Sequence, residues 1–266
     1  MSERSDYKPG EFCWVDLGSP DLEASARFYG DLLRWEREEL GPAEETRGYS
    51  NFVFKSNAVA GLGPIMGAGQ PPAWHAYVGV DDADRTAAAV ADAGGRVVME
   101  PFDLPGGVGR MAVCHDPEGA FFMLWQPRAF RGAQLVNEVG CWTWNNLMSR
   151  DLEQAKRFYG AVFGWEAREI EGAPPGILNW QLDGQRWPEG LGGLMEMGSL
   201  MPAEAPPHWQ VYFAVRSADG AIETTKSAGG SLLFGPQPIP VGVLAVLNDP
   251  QGAAFAIIEP DYPEAR

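Results

Sequence analysis

Two stretches of the chain, "FCWVDLGSPDLEASARFYGDLLRW" from Phe12 and "CWTWNNLMSRDLEQAKRFYGAVFGW" from Cys141, are near copies of one another. At an offset of 130, eleven of the 22 positions from Trp14 to Trp35 match those from Trp144 to Trp165, including the run Arg27-Phe28-Tyr29-Gly30. Three further blocks keep the correspondence. "PPAWHAYVGV" answers "PPHWQVYFAV", "AGGRVVMEP" answers "AGGSLLFGP", and "DPEGAFFMLWQP" answers "DPQGAAFAIIEP". A period this long is domain-sized, which excludes a solenoid of short repeats. The duplication predicts two similar domains, residues 8–128 and 138–261, joined by "RAFRGAQLVNE" at about 128–138.

Each copy divides again. "FCWVDL" has the alternation and β-formers of a strand. Leu22, Ala26, Tyr29 and Leu33 recur at helical spacing, behind Ser19-Pro20 and the acids Asp21 and Glu23 that mark a helix start. "YSNFVFK" and "AVAGLGPIM" read as strands. After Pro71-Pro72 the order restarts with the strand "WHAYVGV", the helix "DADRTAAAVADAGG" and three more strands. The unit is βαβββ, present four times, and the fold class is α+β.

At 266 residues with a 45% hydrophobic fraction, the chain can build a full core. The polar N-terminus and the lack of a long apolar run predict a cytoplasmic protein with no membrane partner. Cys13, Cys114 and Cys141 form no CxxC pair, are odd in number, and read as reduced thiols. A net charge of −16 without a basic cluster argues against nucleic acid as a partner. The glycine-rich "LPGGVGR" lacks the GK[ST] and helix of a P-loop; it reads as a hairpin connection or a cavity rim, with Arg110 a candidate contact for an anionic group.

The blocks "DLEASARFYGDLLRW" and "DLEQAKRFYGAVFGW", with "DPEG" and "DPQG" before the last strand of each copy, resemble the vicinal oxygen chelate superfamily, the glyoxalase and bleomycin-resistance fold, in its tandem two-domain actinobacterial form. The resemblance covers roughly residues 10–260. It implies curved sheets enclosing one ligand cavity per copy. It also implies three metal-ligand positions per cavity in the metal-dependent members. These positions fall on Trp14, His75 and Met123 in the first copy and on Trp144, Gln210 and Ala256 in the second. Indole offers only an N–H donor, and catalytic sites use about three protein ligands. No metal site and no cofactor are therefore expected; His115, His208, Glu196 and Glu259 lie outside the register.

Alternate residues of a strand share a face. That rule puts Phe12, Trp14 and Asp16 on one wall, faced by His75 and Tyr77 and closed by Phe121, Met123 and Trp125. The second wall would hold Trp142, Trp144 and Asn146, faced by Gln210 and Tyr212, with Ala254, Ala256 and Ile258 leaving more room. Aromatic walls with a few polar groups suit planar hydrophobic ligands. The expected function is metal-independent binding or sequestration of an aromatic or antibiotic-like metabolite by a monomer or homodimer. The alternatives are an enzyme of the same superfamily, metal-dependent or metal-free, in which Asp16 and His75 would serve as an acid/base pair, and a structural or signalling protein with filled cavities.

Overall fold

The computed structural model describes residues 3–65, 67, 69–184, 190–198 and 201–261. The first copy runs β1 (Phe12–Ser19), α1 (Leu22–Leu33), β2 (Glu36–Glu39), a short α2 (Ala43–Thr46), β3 (Ser50–Phe54) and β4 (Asn57–Pro64), then β5 (Ala73–Gly79), α3 (Ala83–Asp92), β6 (Arg96–Asp103), β7 (Gly109–His115) and β8 (Phe121–Pro127). The second repeats it as β9 (Trp142–Ser149), α4 (Leu152–Phe163), β10 (Glu166–Glu169), β11 (Ile177–Gln181), β12 (Gly192–Glu196), β13 (His208–Ala214), α5 (Ala218–Ser227), β14 (Ser231–Ile239), β15 (Gly242–Asn248) and β16 (Ala254–Pro260). Four βαβββ modules are thus present, in an α+β fold. The expected strand "AVAGLGPIM" is β4 as far as Pro64; its Met66 lies outside the described residues.

Each copy forms one mixed eight-stranded sheet, ordered β2-β3-β4-β1-β5-β8-β7-β6 and β10-β11-β12-β9-β13-β16-β15-β14. The first strands of the two modules, β1 with β5 and β9 with β13, pair antiparallel at the sheet centres. Among the described residues no helix is long and apolar enough to cross a membrane. All three cysteines are buried and free.

The helices begin where the sequence marks them. Asp21 caps α1 by accepting from the backbone N–H of Ala24, and Asp151 caps α4 by accepting from Gln154. Their ends differ. Gly164 closes α4 in the left-handed region at φ 72°, whereas Arg34 holds the same place after α1 at φ 65°. A side chain there is strained and glycine is not. Arg34→Gly is expected to raise the free energy of unfolding by about 1 kcal/mol, measured by urea denaturation; an unchanged or lower midpoint contradicts it.

The duplicated motifs meet across the two copies. Tyr29 of the first "RFYG" donates to Asp249 of "DPQG" at 3.2 Å, and Tyr159 of the second donates to Asp116 of "DPEG" at 3.1 Å. Trp74 and Trp209 donate to those same tyrosine hydroxyls at 2.8 and 2.9 Å. Trp35 reaches the Gly140 carbonyl at 2.6 Å, and Trp165 reaches that of Gly10 at 2.8 Å. Between these bonds the rings of Trp74 and Phe213 lie 4.8 Å apart edge to face. One hydrophobic core therefore runs through both copies. Each sheet spends its helix-bearing face on that core.

Candidate functional site

On the helix-free face of the first sheet, β1 carries Trp14 and Asp16 opposite Tyr77 and His75 of β5. Asp16, 6% exposed, is the hub. Its Oδ2 accepts from the Tyr77 hydroxyl at 2.6 Å and from the Tyr49 hydroxyl at 3.2 Å, and its Oδ1 lies 2.9 Å from His75 Nδ1. Trp14 donates its indole N–H to Tyr49 at 3.0 Å. Burial, reinforced by the Asp16 carboxylate, pushes both tyrosine hydroxyls well above the ordinary phenol value, so they stay protonated donors.

Trp125, beside Tyr77 with ring centroids 6.4 Å apart, and Met123 close the wall. Phe130 from the connecting segment wedges between Trp14 and Trp125, at 4.8 and 6.1 Å. The lower part of this face is filled by its own side chains: Trp14, Met111, Val113, Met123 and Trp125 are all buried. At the rim, Arg110 is held by Asp84 in two 2.8 Å bonds and by Asp103 at 3.2 Å. Its charge is spent on these carboxylates rather than held open for an anion.

The second sheet places Trp144, Asn146, Gln210, Tyr212 and Ala256 on the corresponding face. Asn146 is the hub here. It accepts from the Trp144 indole at 2.9 Å and donates to the Tyr212 hydroxyl at 2.6 Å and to the Met195 sulfur at 3.3 Å. Burial raises the Tyr212 hydroxyl to about 12. The walls differ in exposure. Trp144, Leu244, Val246 and Ile258 are half-buried, while their counterparts Trp14, Met111, Val113 and Trp125 lie between 1% and 6% exposed. Ala256 stands where Met123 does, and Ile258 where Trp125 does.

Two expected wall residues belong elsewhere. Phe12 packs against Trp165 and Trp209 of the second copy, at 5.3 and 4.9 Å, on the opposite face from Trp14. Trp142 bonds to the side chain of Asn145, on the opposite face from Asn146. The cause is a β-bulge in each first strand, between Phe12 and Trp14 and at the matching place where Phe213 and Tyr212 oppose Trp142 and Trp144. One extra residue turns the chain over.

Two site residues went unnoticed in the sequence. Tyr49 precedes β3 and fits only because Gly61 and Gly63 carry no side chain; a Cβ at Gly61 would collide with its hydroxyl. Phe130 lies in the connecting segment, where no periodicity points to a site. A groove of about 650 Å³, between the N-terminal segment and the first sheet, is lined by Arg4, Lys8, Glu11, Cys13, Trp125 and Arg131. Its charges are partly paired, Arg4 with Glu11 at 2.6 Å and Arg131 with Asp6 at 3.6 Å.

Residues 14–125 match a model described as "Glyoxalase-like domain", and residues 143–257 match "Glyoxalase/Bleomycin resistance protein/Dioxygenase superfamily". A Mycobacterium tuberculosis protein named "Putative glyoxylase CFP32" is 39% identical over 98% of both chains. The chain belongs to the glyoxalase/bleomycin resistance protein/dioxygenase superfamily. The anthracycline biosynthesis protein DnrV of Streptomyces peucetius is 33% identical over 97% of both chains. Among solved structures, the Mn(II)-bound glyoxalase of Novosphingobium aromaticivorans shares the fold at a TM-score of 0.62 and 16% identity, over 96% of this chain and 85% of that one. The 2,3-dioxygenase LapB of Pseudomonas sp. KL28 does so at 0.63 and 12%, over 98% and 96%.

The side chains present do not suit a metal such as the Mn(II) of that glyoxalase. Among the described residues no three His, Cys, Asp or Glu side chains converge. Trp14 and Trp144 offer only N–H donors, and the His75 nitrogen nearest Asp16 is engaged there.

Proposed function

We propose that the chain is a metal-independent small-molecule binding protein whose second sheet takes a planar aromatic or polycyclic compound. One observation carries this: the same four positions that are sealed in the first sheet are half-open in the second, at Trp144, Leu244, Val246 and Ile258. An indole and three aliphatic side chains form a flat apolar wall, and Asn146, Gln210 and the Tyr212 hydroxyl supply polar groups to orient a ligand edge. The similarity to two proteins named for anthracycline biosynthesis, DnrV and DauV, supports a fused-ring ligand.

An anthracycline aglycone titrated into the protein is expected to quench tryptophan fluorescence saturably, with no dependence on chelator. Trp144→Ala should weaken binding by about 1–3 kcal/mol, the loss of one large aromatic contact, or roughly 5- to 150-fold in Kd. Because Trp144 is half-exposed, the same change should lower unfolding stability by less than about 2 kcal/mol. A loss of about 3–5 kcal/mol with no binding in the parent protein identifies Trp144 as core instead.

A further inference from the structure

The first sheet holds a second chemistry that binding does not use. Asp16 and His75 are neighbours on paired strands, and the 2.9 Å contact from Asp16 Oδ1 is to His75 Nδ1. As a carboxylate, Asp16 accepts from His75, Tyr77 and Tyr49 together, which fixes the imidazole with its proton on Nδ1. Nε2 is then the lone-pair nitrogen, and it has no protein partner among the described residues. The His75 side chain keeps 22% of its surface exposed, while Asp16 keeps 9%. A buried carboxylate thus orients an accessible imidazole.

The imidazole lies between a buried glycine and a tilted aromatic ring. Gly18, on β1 beside His75, lets the ring lie against the strand: a Cβ there would sit 3.1 Å from Cε1 and 3.9 Å from Nε2. Phe121 of β8 stands 5.0 Å from the imidazole and 5.2 Å from His115, forming an aromatic wall. The second copy has none of this. Its matching residues are Asn146 for Asp16, Gln210 for His75, Met148 for Gly18 and Ala254 for Phe121. Every group that makes a base in the first copy is replaced by one that cannot accept a proton or by one of different bulk.

We propose that His75 is a metal-free general base, positioned by Asp16, acting on planar aromatic carbon acids that approach its exposed edge beside Phe121. In the step, the substrate C–H bond breaks and an Nε2–H bond forms. The electron pair stays on the substrate, delocalised into its ring or carbonyl system. The resulting imidazolium is held against the Asp16 carboxylate and returns its proton to another substrate atom or to water, so no further reactant is needed.

The test uses the full chain and 5-nitrobenzisoxazole, a flat carbon acid. Proton removal from its C3 breaks the N–O bond and yields a coloured cyanophenolate. The wild type is expected to accelerate this elimination with saturation and one rising limb in its pH profile. His75→Gln should lower the rate by about 10²-fold or more, within the span of general base catalysis. The second copy already carries Gln210 at this place, so the fold accommodates the change. Asp16→Asn, matching Asn146, should retain part of the rate and shift the pH profile, which a merely structural role would not do. His208→Gln should leave the rate unchanged. A wild-type rate no greater than that of free imidazole at equal concentration, or a rate that survives His75→Gln in a protein of unaltered melting temperature, overturns the assignment. Nitrogen NMR of the His75 ring gives an independent reading: the proton resides on Nδ1 in the neutral form, and finding it on Nε2 overturns the dyad.

Discussion

Trp165→Ala is expected to lower the free energy of unfolding by about 3–5 kcal/mol, the range for truncating a fully enclosed aromatic residue. Trp165 is 2% exposed. Its ring stacks on Tyr159 at 5.4 Å and 11°, meets Phe163 at 5.0 Å, and touches Phe12 of the other copy at 5.3 Å. Its N–H donates to the Gly10 carbonyl, again in the other copy. Alanine would leave a large void in the shared core and an acceptor without its donor. Trp165→Phe separates the two effects: the ring largely remains and the donor goes, for a loss of about 1–3 kcal/mol. Since one core spans both copies, urea should unfold the parent in a single transition that moves as a whole in the variants. A loss below about 1 kcal/mol, or an early transition confined to one copy, would show that the halves do not depend on each other.

That interdependence explains why the sequence repeats where it does. The segments that match most closely, "RFYG", the following Trp and "DPxG", are the ones that bond across the copies. Their duplication made the four-module architecture legible. The free face was legible in outline through strand alternation, which put Trp14 with Asp16 and Trp144 with Asn146. It failed at Phe12 and Trp142, because a bulge adds one residue and no side-chain pattern announces it. Tyr49 escaped notice for another reason. It sits outside its strand, and its place is set by missing side chains at Gly61 and Gly63 on β4, which approach it only in space. Whether Asp16 and His75 touch was likewise a matter of register, fixed by the β1–β5 pairing.

Stability is expected to fall as pH rises from about 4 to 7, by up to about 3 kcal/mol through Asp116 alone. Burial beneath the second copy raises this carboxyl from an ordinary 3.8 to about 6, against the opposing pull of the Ala120 N–H, the Tyr159 hydroxyl and the Glu118 N–H. Asp249, its mirror, is raised by burial too. A carboxyl whose folded value exceeds its unfolded value binds protons more tightly in the native state. Its stabilising contribution is complete below about 3.8 and is lost as pH rises through about 6, because ionising it then costs the folded protein more than the unfolded chain. Asp116→Asn isolates the effect from the repulsion among the other acids of this −16 chain, which parent and variant share apart from this one group. The substitution is mild. Both backbone bonds, from Glu118 and Ala120, end on Oδ1, which asparagine retains, while Oδ2 meets only the Tyr159 hydroxyl. Urea unfolding at pH 4.5 and at pH 7 should therefore show the parent losing about 2 kcal/mol more than the variant. Equal losses would mean that Asp116 ionises in the folded protein as readily as in the unfolded one, and that its three hydrogen bonds offset the whole cost of its burial.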